Sequence, residues 1–354
     1  MKRKHTTEEI RQFILDNVED HPSDISSLTL KSFDISRQSV NRHLTALILG
    51  GLLKAEGQTR RRNYFLKPVF DEQYFLINTS SLDEDQVWRE KILPHLENES
   101  RNVIDICHYG FTEIMNNVID HSESSTAIVE ITIYANSIIL FISDTGVGIF
   151  YKIYKKLHLD DERHAVLELS KGKITTDSSK HTGEGIFFTS RMFDKFSIIS
   201  GSLYFSRQEK DDDQWLLQDE DDPVTGTGVT MIIRRKSKRT VKEVFDRYTS
   251  EDSEYGFTRT HVPVRLAQYG GEQLVSRSQA KRLLSRLEPF KEIWLDFKGV
   301  DYIGQAFADE IFRVYRNDHP NIELIWTNTN QDVENMIKRA YHSLPGDDQL
   351  RLSI

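Results

Sequence analysis

Cysteine is almost missing from this chain of 354 residues, in which Cys107 is the single example. One thiol excludes an internal disulfide framework and any Cys-x-x-Cys metal knuckle, and it is typical of a reducing compartment. No run of about 18 apolar residues occurs, so no stretch meets the requirement for a membrane-spanning helix. The basic Met1–Lys4 is not followed by the apolar stretch of a signal peptide. We therefore expect a soluble, cytoplasmic protein with no membrane partner.

Internal repeats and low-complexity tracts are also lacking. A content of 38% hydrophobic and 29% charged residues is an ordinary globular composition, which excludes disorder as the dominant state. The length predicts two or three domains. Residues 1–68 carry a net charge of +4, whereas the remainder carries −13. A basic segment joined to an acidic body raises the question of a polyanionic partner.

The first 68 residues have the order helix, helix, helix and basic hairpin, as judged from the helical spacing of apolar residues and two strands around a glycine turn. This order resembles a winged helix-turn-helix, and the resemblance covers the domain 1–68. The predicted helices are Thr7–Val18, Ser23–Lys31 and Ser36–Leu49, and the predicted strands are Leu52–Ala55 and Asn63–Lys67.

The polar face of the third helix suits the major groove of double-stranded DNA. Gln and Asn can pair with adenine edges and Arg with guanine, while arginines at the hairpin tip would hold phosphates. The alternative is a winged helix used for protein contact or dimerisation, with its charged face in water. The candidate DNA-binding residues are Arg37, Gln38, Asn41 and Arg42 on the helix, and Arg60, Arg61 and Arg62 on the hairpin.

Residues 69–97 contain no glycine and one proline, Pro94. We expect a helical connector here, with a helix over Glu84–Leu93 that Pro94 would end.

A predicted helix over Gly110–His121 carries the first candidate site residues. Glu113 and Asn117 are four residues apart, so both side chains project from one helix face, about one turn from each other. The amide oxygen of Asn117 can ligate a hard cation such as Mg²⁺, and the Glu113 carboxylate can orient and deprotonate a water. For this pair alone, two polar residues on a wet helix face are the simpler alternative.

Three glycine-containing loops follow that helix. The strand Ile138–Ser143 runs into Asp144, which can accept a hydrogen bond from an exocyclic amine, and glycines let backbone approach a ligand. The second loop opens a predicted helix, Ile186–Phe193, whose free N–H groups suit a phosphate. A single Gly-x-Gly is usually a turn, but three in this order are hard to place by chance. The pairs are Gly146 with Gly148, Gly183 with Gly185, and Gly226 with Gly228.

Residues 98–236 therefore resemble the GHKL, or Bergerat-fold, ATP-binding domain, an α/β sandwich. The family includes type II topoisomerase ATPase subunits, mismatch-repair ATPases, heat-shock chaperones, histidine kinases and anti-sigma-factor kinases. The resemblance implies ATP and Mg²⁺ as cofactors, with Asn117 holding the metal and Glu113 as catalytic base. Asp144 would bind the adenine amine, and Phe150–Thr182 would be a mobile lid. The implied ATP-binding residues are Asn117, Asp144, Gly146, Gly148, Lys180, Gly183, Gly185 and Thr230.

Two features of this segment qualify the resemblance. Val229 stands directly after the third glycine pair, where the family often has Ser or Thr, and Thr230 follows. In the lid, Lys173 and Lys180 are the lysines that could reach a phosphate. A two-component sensor is disfavoured. Its phosphoacceptor histidine would have to be His95 of the connector, which stands beside Pro94 with no second long helix after it, and an ordinary exposed histidine is the better interpretation.

Residues 255–345 alternate strand and helix, which predicts a small α/β layer on a mixed sheet. This segment resembles the STAS-like domains, relatives of anti-anti-sigma factors. Their phosphorylated serine has no counterpart here, because residues 304–307 read Gly-Gln-Ala-Phe. We expect a loop that senses the nucleotide state or binds a protein partner. The predicted strands are Val264–Tyr269, Glu292–Phe297 and Ile322–Thr327, and the predicted helices are Ser276–Leu287, Gln305–Asn317 and Asp332–Tyr341.

The expected protein is thus a multidomain α/β chain with a winged helix, an α/β-sandwich Bergerat fold and a small STAS-like domain. The preferred function is an ATP- and Mg²⁺-binding regulator, forming a homodimer, whose nucleotide state gates DNA binding and whose Glu113 hydrolyses ATP slowly. The alternative is a serine/threonine protein kinase of the anti-sigma-factor type that acts on a separate protein. An ATP-fuelled DNA clamp is less favoured, because the chain lacks a long transducer domain.

Overall fold

The structure is a computed structural model that describes six ranges of the chain. In these ranges the chain is a mixed α/β protein of several units built around three sheets. No helix within them combines the length and the apolar character needed to cross a membrane. The described residues are 5–58, 62–173, 183–209, 214–249, 256–268 and 272–341.

The head, residues 5–68, consists of three helices and a two-stranded hairpin. A capping box between Thr6 and Glu9 fixes the start of the first helix. Buried Ile14, Val18 and Val40 form the centre of the small core that joins the helices. The predicted elements are all present with slightly shifted ends, namely α1 (Thr7–Asn17), α2 (Ile25–Phe33), α3 (Arg37–Leu49), β1 (Leu53–Glu56) and β2 (Asn63–Leu66).

The segment 69–97 is not purely helical, so the predicted helical connector is wrong in its first part. Its first element is a strand, β3 (Phe70–Ile77), which pairs antiparallel with β4 (Thr126–Ile133). Phe70, Tyr74 and Leu76 are partly buried and pack against the core. Aromatic and branched residues on alternate positions favour a strand, a pattern that the absence of glycine boundaries concealed.

The helical part of this segment runs through Pro94 instead of ending before it. It comprises α4 (Glu84–Val87), a π turn (Trp88–Ile92) and α5 (Leu93–Leu96). In the π turn the Leu93 N–H donates to the carbonyl of Trp88, five residues back. This wider turn accommodates a proline, which lacks an N–H and would crowd the carbonyl four residues back in a regular helix.

The central sheet has five strands in the order β3-β4-β5-β7-β6, all antiparallel. One of its faces is buried, as the alternation of Ala127, Val129, Ile131 and Ile133 in β4 requires. The long helix α6 contributes a buried stripe that includes Cys107. The remaining elements of this unit are β5 (Ser137–Asp144), β6 (Lys195–Gln208), β7 (Gln214–Arg234), α6 (Arg101–His121), α7 (Ile149–Leu157), α8 (Glu162–Lys171), α9 (Gly185–Met192) and α10 (Val241–Arg247).

The C-terminal unit, residues 256–341, has a three-stranded sheet in which both pairings are parallel, so the predicted mixed sheet is wrong. Helical crossovers between successive strands place those strands parallel. The predicted strand Val264–Tyr269 is also wrong, because the strand ends at Pro263 and a 3₁₀ turn follows over Val264–Ala267. The elements are β8 (Arg259–Pro263), β9 (Glu292–Asp296), β10 (Glu323–Thr327), α11 (Arg277–Leu284), α12 (Gln305–Asp309), a π turn (Glu310–Tyr315), α13 (Arg316–Asp318) and α14 (Gln331–Tyr341).

The head contacts the central sheet at the turn between β4 and β5. Asn136 Nδ2 donates to the carbonyl of Leu15 at 2.9 Å, and Lys236 Nζ donates to Gln12 Oε1 at 2.8 Å. Tyr134 of the same turn packs against the core of the head. The head therefore lies at the end of β5 opposite Asp144, about 23 Å away at roughly 3.3 Å per strand residue.

Replacing Asn136 by Ala should destabilise the head by about 1 kcal/mol, because the partly buried carbonyl of Leu15 loses this donor. Urea unfolding followed by circular dichroism measures this loss. Asn335→Ala is the matched control, since Asn335 is exposed on α14 and accepts one hydrogen bond, from Gln331. Equal losses in the two variants would contradict a specific role for the Asn136 contact.

Candidate functional site

A cavity of about 330 Å³ lies between the C-terminal half of α6, the end of β5 and the start of α9. This volume falls in the range of small-molecule sites. Its walls bring together residues from Glu113 to Val229, which are more than about one hundred positions apart in the chain. Six of the predicted site residues line it, namely Glu113, Asn117, Asp144, Gly148, Gly183 and Gly185.

Asp144, the last residue of β5, is 7% exposed. Its carboxylate accepts hydrogen bonds from the N–H groups of Gly146, at 2.8 Å, and Thr227. Burial raises the pKa of Asp144, and the two N–H donors lower it in part. Gly226 makes this packing possible, since it has φ +78° and a Cβ there would lie 2.1 Å from the Asp144 carbonyl oxygen.

Glu113 is held against the first turn of α9. A Cβ on Gly185 would lie 2.0 Å from Glu113 Oε2, so only glycine lets the carboxylate lie there. The Tyr109 hydroxyl, one turn earlier on α6, donates to the same carboxylate, and burial together with that charge raises the pKa of Tyr109. The Tyr109 ring stands edge-on to Phe245, 5.6 Å between centroids. Glu113 is thus a positioned carboxylate at a helix N-terminus.

Two predicted ligand contacts are not on the cavity wall. Gly146 packs instead on the end of α6, where a Cβ would lie 1.9 Å from the Ser122 carbonyl oxygen. Thr230 lies outside the lining, whereas Thr227 and Val229 of the same strand belong to it. Alternate residues of a strand point to opposite faces, so Thr230 faces away from the cavity.

The lining residues that sequence reasoning missed include Lys152, His121 and Thr227. Lys152 Nζ donates to the His121 carbonyl at 2.6 Å and to Glu123 Oε1 at 2.9 Å. Thr227 Oγ1 accepts the Ile149 N–H at 3.0 Å, which fixes the start of α7. The available signals were a lysine in the first turn after Gly148 and a hydroxyl between the third pair of glycines.

The segment expected to form a mobile lid is described only as far as residue 173, and Lys180 lies outside the described residues. Its described part forms α7 and α8, and Ala165, Val166 and Leu167 of α8 are fully buried. Lys173 is not on the cavity wall, because its Nζ donates to the Pro289 carbonyl at 3.3 Å. Helix α8 is therefore part of the hydrophobic core and not a loose cover over the cavity.

The candidate DNA-binding residues of the third helix share one exposed side of α3, opposite the buried Val40 and Leu44. Arg62 is exposed and its guanidinium lies 5.5 Å from the centroid of the Tyr64 ring. Arg60 and Arg61 lie outside the described residues. The four candidates on α3, all of them exposed, are Arg37, Gln38, Asn41 and Arg42.

Residues 279–334 match the family model of a STAS-like domain of unknown function (DUF4325). The match runs from α11 to the first half of α14, so the expected C-terminal STAS-like domain is confirmed. A comparison with curated proteins found no match.

The raised pKa of Asp144 predicts a pH dependence of stability. The folded state binds the proton more tightly than the unfolded state, so the contribution of Asp144 to stability is present below its usual value of 3.8 and is lost as the pH rises through the raised pKa. Compared with the wild type, Asp144→Asn should therefore lose less stability across this window. Urea unfolding at a series of pH values measures the difference.

Asp309→Asn gives the control of opposite sign. A hydrogen bond from Arg313 lowers the pKa of Asp309, so its contribution is lost as the pH falls. Parallel pH profiles for the two variants would show that neither carboxyl controls the slope.

Proposed function

We propose that the chain is an ATP- and Mg²⁺-binding regulator of the GHKL type. In this proposal its nucleotide state gates DNA binding by an N-terminal winged helix, and its ATP hydrolysis is slow. One observation carries the proposal: Glu113, Asn117 and Asp144 line a single cavity together with glycine loops. This convergence argues against the simpler reading of Glu113 and Asn117 as a polar pair on a wet helix face.

Each wall of the cavity suits a different part of the nucleotide. The Asp144 carboxylate is a buried acceptor for the exocyclic amine of adenine. The N-terminus of α9, which opens at Gly185, is suited to phosphate oxygens. Lys152 adds a cation to the wall, although its ammonium group is already shared with His121 and Glu123.

The residues present also fit a magnesium ion. Asn117 offers an amide oxygen on the cavity wall. A single protein oxygen suits Mg²⁺, which keeps several waters and is bound largely through substrate phosphates, whose charge it neutralises. Glu113, fixed by Tyr109 and α9, is the group that would take the proton of an attacking water.

The head suits a polyanion because its exposed side of α3 carries Arg37 and Arg42, and its whole segment 1–68 has a net charge of +4. A path to the cavity exists through β5, which joins the head-contacting turn at Asn136 to Asp144. A nucleotide would shift the head only through different affinities for two arrangements of the chain.

Titration calorimetry with ATP and Mg²⁺ tests the cavity. The wild type should bind, Asp144→Asn should lose at least about tenfold in affinity, and Glu113→Gln should bind while phosphate release falls about 100-fold or more. Asp105→Asn is the control. Asp105 lies on α6 two turns before Glu113, is not among the lining residues, and pairs with Arg101 at 2.9 Å. Absence of nucleotide binding by the wild type would refute the proposal.

The same protein with γ-labelled ATP and cell extract separates the two enzymatic functions. Label released as free phosphate supports hydrolysis, whereas label on a separate protein supports the serine/threonine kinase of the anti-sigma-factor type, in which a hydroxyl takes the place of the water.

Binding to duplex DNA across a salt series tests the head. Arg37→Ala and Arg42→Ala should each weaken binding and reduce the salt slope by about 0.9 if the side chain contacts a phosphate. Arg101→Ala is the control, because Arg101 is an exposed arginine on α6, outside the head. Addition of ATP and Mg²⁺ should change the affinity several-fold, and an unchanged affinity would remove the gating part of the proposal.

A further inference from the structure

A buried ion pair lies where the C-terminal end of α8 meets the STAS-like domain. Lys171 is 1% exposed and Glu168 is fully buried, with 2.6 Å between Nζ and Oε1. Removing two charges from water is costly, so a pair in this place needs further partners to be maintained.

The partners come from the other unit. Lys171 Nζ donates to the carbonyls of Arg282, at 3.2 Å, and Ser285, at 2.9 Å, at the C-terminal end of α11. The Ser285 hydroxyl in turn donates to Glu168 Oε1. The last carbonyls of a helix have no partners within it and favour a cation. Lys171 therefore belongs to α8 but caps a helix of the STAS-like domain.

A second group of hydrogen bonds joins the same elements on the β8 side. The Thr260 hydroxyl donates to the carbonyl of Lys171 at 2.7 Å. Arg191 of α9, itself buried, donates through Nη2 to the carbonyl of Ser170, at 3.2 Å, and to the carbonyl of His261, at 3.3 Å. Helices α8 and α9 and strand β8 are thus tied together at one place.

These two helices also form walls of the cavity. Leu169 of α8 and Gly185 of α9 line it. Leu169 is two residues from Lys171, and Gly185 is six residues from Arg191, so both cavity walls are close in sequence to the hydrogen-bonded cluster. Both charges belong to α8, so loosening this contact would leave the pair intact but remove its hydrogen bonds to Arg282 and Ser285. The cost of a buried charge that loses its partners favours a single docked arrangement over loosened ones. The face of the STAS-like domain beside β8 and α11 is therefore occupied by the cavity walls of its own chain.

We propose that the STAS-like domain acts in cis as the regulatory element of the cavity. Helices α8 and α9 and the STAS-like domain open and close as one cooperative unit, with Lys171 as the positioning residue that couples them. That the cavity ligand is ATP rests on the proposed function, whereas the cooperative unit does not.

Hydrogen exchange of the full chain without nucleotide tests the unit. Lys171→Met should raise exchange about tenfold in α8, α9, β8 and α11 together and leave α1–α3 of the head unchanged. Lys281→Met is the matched control, because Lys281 lies on α11 with its side chain 71% exposed, 3.8 Å from Glu310. An increase confined to α8 or to α11, or an equal effect of Lys281→Met, would overturn the proposal.

Two further variants keep the test decisive if Lys171→Met fails to fold. Glu168→Gln combined with Lys171→Met removes both charges at once. Ser285→Ala removes only the hydroxyl that donates to Glu168 and accepts from Lys171. Both should raise exchange in the same four elements, and the increase for Ser285→Ala should be smaller than that for Lys171→Met. Unchanged exchange in both would overturn the proposal.

ATP affinity of the Ser285→Ala protein tests the regulatory part. We expect a decrease of about fivefold or more, since loosened walls are less preorganised, and an unchanged affinity would overturn regulation of the cavity. A wild type that binds no ATP would defeat the proposed function, while the exchange pattern would still decide whether the cooperative unit exists.

Discussion

Direct packing of backbone on two carboxylates is the constraint on which the cavity depends. Glycine at 226 allows β7 to approach Asp144, and glycine at 185 allows α9 to start against Glu113. A side chain at 226 would collide with the backbone carbonyl of Asp144, and one at 185 would collide with the Glu113 carboxylate. Gly226 and Gly185 are therefore needed to bring the two acidic side chains, Asp144 and Glu113, to the cavity wall.

This constraint explains which parts of the site could be predicted from the sequence. Spacing along one helix placed Glu113 and Asn117 together, and the step from strand to loop placed Asp144 at the end of β5. The roles of Gly146 and Thr230 were not predictable, because the first depends on the path of α6 past the loop and the second on the register of β7 against β5. Lys152 is three residues into a helix whose orientation the sequence does not reveal.

The fold shows the same division. In the head, both ends of each helix were predicted to within two residues, because these helices have clear apolar stripes. Strand β3 was missed because its pairing partner, β4, lies about fifty to sixty residues later in the chain. The parallel pairing of β8, β9 and β10 follows from helical crossovers, but the exact end of β8 depends on Pro263, whose missing N–H stops the ladder.

Cys107 is fully buried within α6, and burial raises the pKa of its thiol. The reactive thiolate is therefore scarce and screened from reagents in the folded protein. Because the chain has no other thiol, a cysteine introduced on any exposed surface would be the only residue to accept a maleimide label. Spectroscopic rulers could thus be attached pairwise to the head and the STAS-like domain without first removing a native residue.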